Sequence, residues 1–391
     1  MVEANPSAQE NAIILTLGRI LTGRVPLEEI PKDDWAPIAR AAIRHKLGPL
    51  LAWTLEQRGF QVPDAPVQQA LQSNAKIADF NFQLLLENQA VIGPALAQAG
   101  IPVIWLKGMA LAQTVYPRPY LRPMDDIDLL VPYEQREAAL QVLRSLDYRT
   151  PPQDSLSQKM GAPQDAPHHF HLLGGPGGST NLELHYRLLV DDRLLQLGEM
   201  DWFWQESEIH ASAGGSNAFR LLKPEAHLIY LAAHAILQHG EADFRLQRYY
   251  DLHLLAQQPG LDWGVIIDRA QALGWIYALE RALTLTREYF ATPIPNQVFA
   301  EIQSRRQPEE TALRAQRLQG AGYRWEGTLL GMEDRPLLER LRSLFWLAFP
   351  PFTYMRSRYN IPPGRAVLPY YFLRWSDAAR EISSALLRRL R

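Results

Sequence analysis

The sequence predicts an α+β protein: a small mixed-sheet core over residues 96–220, a helical region over 1–95 before it, helices over 221–335 that close a cleft, and an aromatic, arginine-rich segment over 336–391. Three observations carry this. Apolar residues recur at three- and four-residue spacing up to Gly100, short apolar or alternating runs bounded by turn residues replace them between Ile101 and Leu189, and helical spacing returns after Pro224.

In the first region the helical spacing is clearest over 35–55 and 67–96, with Gly59 and Gly100 as stops. The run IPVIWL at 101–106 has the length of a buried strand, and Lys107-Gly108 then leads into a helix through Tyr116. A proline- and arginine-rich loop over 117–123 delivers the chain into MDDIDLLV at 124–131, a second strand that Pro132 ends. Residues 134–146 are helical in pattern, Tyr148 opens a short strand, and 151–167 form a loop. Strands follow at 168–173 and 180–189, joined by a turn containing Gly174, Gly175, Gly177 and Gly178. Helices are expected at 225–238, 244–256, 263–290, 297–318 and 336–349, and there is no internal repeat.

With 391 residues, 47% of them hydrophobic, the chain can bury a substantial core in more than one unit. It has no cysteine, which excludes disulfides, thiolate zinc sites and cysteine nucleophiles. A metal would have to be held by oxygen or imidazole, which favours magnesium or manganese over zinc. The first ten residues are polar and no apolar run reaches the roughly 18 residues of a membrane span, so a cytoplasmic protein without an integral membrane segment is expected. The net charge of −2 conceals a basic end, where Arg356, Arg358, Arg365, Arg374, Arg380, Arg388, Arg389 and Arg391 face only Asp377 and Glu381. That end could meet an anionic partner.

The chemistry concentrates in the middle of the chain. Side chains alternate faces along a strand, so Asp126 and Asp128 share one side while Ile127 and Leu129 take the other. Two carboxylates so placed repel unless a cation lies between them, and for that reason replacing either one is expected to leave the fold intact. The bland alternative is a solvated acidic strand end. Glu183 and His185 alternate in the same way in LELH, and if the two strands are neighbours Glu183 completes a three-carboxylate set suited to magnesium and triphosphate. A cross-strand salt bridge would equally account for Glu183 alone. Lys107-Gly108 stands where a helix amino terminus can offer N–H groups to phosphate, and Arg118 and Arg122 could neutralise phosphate charge from the loop before the aspartates. Further on, Arg245, Arg248 and Asp251 fall near one face of an expected helix, either lining a cleft or forming an exposed ion-pair ladder. His227 and His234, seven apart on the preceding helix, read as core or cap residues.

The order strand, Lys107-Gly108, helix, Arg122, Asp126-x-Asp128 and a later Glu183 resembles the DNA polymerase β nucleotidyltransferase superfamily. Within it, the patterns K-G-x-A-L, R-x-x-x-D-I-D-L-L-V and E-L-H-x-x-L are similar to those of a largely uncharacterised bacterial nucleotidyltransferase family, and the spacing from Arg122 to the aspartates resembles that of abortive-infection nucleotidyltransferase toxins. The resemblance is specific over 102–189 and looser to Leu255. It implies Asp126, Asp128 and Glu183 as ligands of Mg2+ or Mn2+, Gly108 at a phosphate-binding turn, and an arginine and aspartate, here Arg248 and Asp251, beside the nucleotide. It also implies an NTP substrate, with ATP expected, and transfer of its nucleotidyl group to an acceptor hydroxyl. The superfamily usually follows the glycine with Gly or Ser, whereas this chain has Met109, which leaves triphosphate binding to backbone N–H groups and Lys107.

Other readings follow from the same residues. His168, His169, His171 and His185 with one carboxylate could make a zinc hydrolase, and Met109 could mark a domain that binds nucleotide or a partner without turnover. The aromatic and proline-rich stretch 345–354 before the basic tail suits either a packed segment or a peripheral membrane or polyanion contact. The acceptor is left open among a small molecule, a peptide or protein, and RNA including tRNA, with His185, Arg118 and Arg245 as candidate contacts. Oligomeric state is not legible.

Overall fold

The computed structural model describes residues 8–150, 169–178, 180–189, 197–211, 218–240, 244–306 and, near the C-terminus, 341, 345, 348, 349, 352, 355 and 365–376. The chain divides into a unit spanning Ala4–Thr150 and His168–Thr311 and a second unit made of Met1–Glu3, Pro151–Pro167 and Ala312–Arg391. The expected loop over 151–167, His168, and most of the segments expected at 307–318 and 336–364 lie outside the described residues. In the second unit, Met355, Val367 and Tyr371 are buried together against Tyr370 and Trp375.

In the first unit four helices lead to the sheet: α1 (Ala8–Leu21), α2 (Trp35–Arg44), α3 (Gly48–Gln57) and α4 (Ala65–Gln98). The helical pattern over 35–55 is two helices rather than one, because Lys46 adopts φ 58° and Leu47 N–H donates to the Ala42 carbonyl at 2.7 Å. That bond is a helix-terminating link across a left-handed residue. Asp64 caps α4 by accepting from Val67 N–H, and Gly100, at φ 70°, ends it.

The sheet is mixed and six-stranded, in the order β3-β4-β2-β1-β6-β5. Its strands are β1 (Ile104–Trp105), β2 (Asp126–Leu130), β3 (His169–Gly174), β4 (Thr180–His185), β5 (Ser207–Ala211) and β6 (Ala218–Leu222). β2 runs parallel to β4 and β1 parallel to β6, while the other pairs are antiparallel. β5 and β6 add two strands that the sequence pattern did not reveal. Helix α5 (Lys107–Thr114) follows β1, α6 (Arg136–Ser145) follows β2, and α7 (Leu197–Gln205) precedes β5.

One face of the sheet, with Trp105, Ile127, Leu129, Leu172, Leu182, Leu184 and Leu221, is sealed by α4, α5 and α6 through residues such as Leu85, Ile92, Met109 and Leu140. Asn88 of α4 ties this layer to the β3–β4 turn: its amide donates to the Leu84 and Pro176 carbonyls at 2.7 and 3.1 Å, and its oxygen accepts from the Tyr148 hydroxyl. Gly175, at φ 72°, has no room for a side chain because Tyr148 and Asn88 occupy it.

On the opposite face Ile104, Leu130 and Leu222 join a second core with the helices before and after the sheet. These later helices are α8 (Pro224–Ala233), α9 (Leu246–Leu255), α10 (Trp263–Ala272), α11 (Ile276–Phe290) and α12 (Asn296–Ser304). The single helix expected over 263–290 is broken, since Gly274 takes φ 68° and Trp275 N–H returns to the Ala270 carbonyl at 2.7 Å. The helix expected over 225–238 ends its regular part at Ala233 and widens into a π-helical turn over His234–His239. None of the described helices is long and apolar enough to cross a membrane.

Candidate functional site

The alternation of β2 does what burial of Ile127 and Leu129, both at 0% exposure, requires: it turns Asp126 and Asp128 to the opposite face. β4 lies beside β2 in parallel register, with Asp126 opposite Asn181 and Asp128 opposite Glu183. Leu182 and Leu184 bury on the apolar face, so Glu183 and His185 emerge next to the aspartates. One carboxylate oxygen from each of Asp126, Asp128 and Glu183 can be chosen so that all three lie within 4.8 Å of one another.

A network of cations surrounds them. Lys107, at the start of α5 with φ 42°, donates from Nζ to Asp128 Oδ1 at 2.7 Å and stands 3.7 Å from Glu183 Oε2. His185 Nε2 lies 3.0 Å from Asp128 Oδ1 and 3.2 Å from Glu183 Oε2. Ionised carboxylates only accept, so this nitrogen carries the proton. Tyr230 of α8, fully buried, faces Lys107.

These contacts drive the two aspartates apart. Burial alone would raise Asp128, but the Lys107 charge and the His185 and Lys107 hydrogen bonds outweigh it and hold this carboxyl far below the usual range. Asp126 has no such donors: burial and then the Asp128 charge push it up to about 7, against the opposing pull of Lys107. Glu183 resists its own burial through the His185 hydrogen bond and is lowered. A divalent ion held by these carboxylates would displace a proton from Asp126 at pH values below about 7. Mg2+ affinity is expected to fall as pH drops below about 7, by up to about tenfold per pH unit, with one proton released per ion bound. Calorimetric titrations of Mg2+ in buffers of different ionisation enthalpy measure both; a pH-independent affinity between pH 5 and 8 would contradict the assignment.

The other sequence candidates separate into those near this cluster and those engaged elsewhere. Gly108 is buried, and a Cβ on it would lie 2.7 Å from Arg122 Nη1 and 2.9 Å from Met124 Sδ, so its missing side chain makes room for those two residues. Arg122 itself is turned towards α9: Nε and Nη2 donate to Asp251 Oδ1 and Oδ2 at 3.0 and 2.8 Å, and Tyr116 donates to Asp251 Oδ1 at 2.7 Å. Asp251 thus sits in a buried clamp with Arg122 instead of an exposed ladder with Arg245 and Arg248. Arg245 precedes α9 and donates to the Arg44 carbonyl at the end of α2, at 3.0 Å. Arg248 adds its charge to those of Lys107, His239 and His185 around His234; burial first, then these charges, hold the His234 imidazole well below its ordinary range. His227 is likewise pushed down, to about 3, by burial and then by Arg122. Arg118 is exposed on the loop before β2.

His169 and His171 both share the Glu183 face, because His169 pairs with His185 and His171 with Glu183 across β3 and β4. Only His169 reaches the cluster, its Nε2 lying 3.7 Å from Glu183 Oε1. Tyr116, Tyr230 and the π-helical turn were missed by sequence reasoning. The spacing of His227, Tyr230 and His234 at three and four residues could have marked one helix stripe bearing polar tips.

Metal-capable carboxylates on adjacent strands, beside a helix that begins immediately after a strand, define a nucleotidyltransferase-like arrangement. The chain belongs to an uncharacterised nucleotidyltransferase family, whose model matches residues 31–291. Among solved structures it is similar to an antigenic nucleotidyltransferase-like protein from Paracoccidioides brasiliensis, at 17% identity and a TM-score of 0.33, with 55% of this chain and 96% of that chain covered. No curated protein matches.

Proposed function

We propose that this protein transfers a nucleoside monophosphate from an NTP, ATP being the first to test, to an acceptor hydroxyl on a small molecule, a peptide or protein, or RNA. The observation that carries the reading is the convergence of Asp126, Asp128 and Glu183 from two parallel strands. Three hard oxygen donors fit Mg2+ or Mn2+. When bound, such ions would neutralise triphosphate charge and make the acceptor hydroxyl a better nucleophile.

The remaining work falls to the chain's own groups. Lys107 and His185 keep Asp128 ionised in a buried site and hold its orientation. Lys107 and Arg248 bring positive charge to the face on which a triphosphate would lie. No side chain caps the amino terminus of α5 at the Lys107–Gly108 turn, and the first-turn N–H groups of such a helix end favour phosphate. The acceptor hydroxyl gives up its proton to solvent as its oxygen bonds to the α-phosphorus, the bond from that phosphorus to the α–β bridging oxygen breaks, and pyrophosphate leaves with that oxygen.

The test is incubation of the purified chain and Mg2+ with each α-labelled NTP and a cell extract. Transfer of label to a discrete acceptor, with stoichiometric pyrophosphate release, is expected for at least one nucleotide. Absence of transfer for all four, with Mg2+ and with Mn2+, would overturn the reading in favour of a domain that binds without turnover.

A further inference from the structure

Among the described residues, the carboxylates are one of two metal-capable groups on this face. One ring nitrogen from each of His169 and His185 and a Glu183 carboxylate oxygen also lie within 4.8 Å of one another, on two antiparallel strands whose register sets His169 directly opposite His185. Glu183 Oε1 stands 3.7 Å from His169 Nε2, and the other carboxylate oxygen, Oε2, stands 3.2 Å from His185 Nε2. In a tetrahedral zinc site with bonds of about 2.0–2.1 Å, ligand atoms stand roughly 3.3 Å apart, so these separations need only small side-chain movements to close on an ion.

We propose that His169, Glu183 and His185 form a second metal site, selective for a borderline divalent ion of the Zn2+ class and separate from the all-oxygen Asp126–Asp128 side. Two imidazoles and one carboxylate are the donor set that favours such ions over Mg2+. β3 and β4 are joined by the short glycine turn that Asn88 and Tyr148 hold in place, so the ligands sit on a braced hairpin. Binding exchanges the His185 Nε2 proton for the ion, which releases that nitrogen from Asp128. Because Glu183 belongs to both groups, Zn2+ held here draws a carboxylate away from the Mg2+ side and opposes Mg2+ binding there. The inference rests on the geometry of the hairpin and not on nucleotidyl transfer.

The test uses the full chain with Co2+ as a spectroscopic probe and Zn2+ as competitor, in excess Mg2+. The wild type is expected to take up one Co2+ with the intense visible bands of a four-coordinate ion bearing nitrogen ligands, and to lose them to Zn2+. His169→Gln should weaken binding by more than the roughly 10–100-fold that loss of a mere supporting residue costs. His171→Gln, which alters a histidine on the same face but outside the cluster, should bind as the wild type does, whereas Asp126→Asn, which weakens the competing Mg2+ side, should bind Co2+ more tightly than the wild type in excess Mg2+. No four-coordinate Co2+ signal in the wild type, or unchanged affinity in His169→Gln, would overturn the proposal. A chain that binds Co2+ in this way yet transfers no label would instead overturn the proposed function alone.

Discussion

Asp126→Asn and Asp128→Asn are each expected to reduce nucleotidyl transfer at least about a thousandfold, equivalent to about 4 kcal/mol of lost transition-state stabilisation, while shifting stability in opposite directions. From the sequence, either replacement simply relieves repulsion between neighbouring charges. The structure breaks that symmetry. Asp128 is the shared acceptor of Lys107 and His185, so an amide there leaves a buried ammonium with only the more distant Glu183 carboxylate, and the metal-free protein is expected to lose about 3 kcal/mol.

Asp126 is the reverse case. Its folded pKa of about 7 exceeds the ordinary 3.8, so the folded state binds more protons than the unfolded chain between these values. Its contribution to stability is complete below pH 3.8 and is lost as pH rises through about 7. Asp126→Asn should therefore raise the stability of the metal-free protein above pH 7 by about 2 kcal/mol, after allowance for its partial contact with solvent, with little effect at pH 4. Denaturant unfolding at pH 4 and pH 8 in a chelator, alongside transfer rates in Mg2+, measures both halves. Near wild-type turnover in either variant would remove the carboxylates from the chemistry; equal destabilisation by both would contradict the charge arrangement.

The second large effect is expected at the clamp. Arg122 and Asp251 are 8% and 2% exposed and share two parallel hydrogen bonds, with Tyr116 filling a further acceptor site. Asp251→Ala leaves the guanidinium charged, buried and unpaired, which costs about 3–5 kcal/mol. Removing both charges together, as in Arg122→Met with Asp251→Leu, should cost much less, because a buried ion pair is nearly balanced by the desolvation it demands. Activity should not follow stability. Arg122 packs on Gly108 and stands four residues before Asp126, so the apolar pair is expected to fold while the turn and the start of β2 lose their register. Melting curves and transfer rates of the single and double variants decide this; a double variant as active as the wild type would make the clamp purely structural.

Asp126, Asp128, Glu183 and His185 were legible in the sequence because strand alternation is local: Ile127, Leu129, Leu182 and Leu184 need burial, and that requirement alone turns their neighbours to the other face. The mixed α+β layout was legible for the same reason, since helical and strand periodicities differ within a few residues. The helix breaks at Lys46 and Gly274 were less so, because each depends on one residue adopting a left-handed conformation that the apolar pattern runs straight through. β5 and β6 escaped notice because Ile209 and His210 do not show a clean buried face.

Only the tertiary structure decided who meets whom. Parallel pairing of β2 with β4 sets Glu183 beside Asp128, and antiparallel pairing of β3 brings in His169. Lys107 looks in sequence like a phosphate ligand at a helix start; its ion pair with Asp128 shows only in the fold. Asp251 lies six residues from Arg245 in the chain, yet its partner is Arg122, 129 residues away. A side chain's face follows from its immediate neighbours, whereas its ionic partner follows from which elements pack together, and in a buried site desolvation makes that partner decisive.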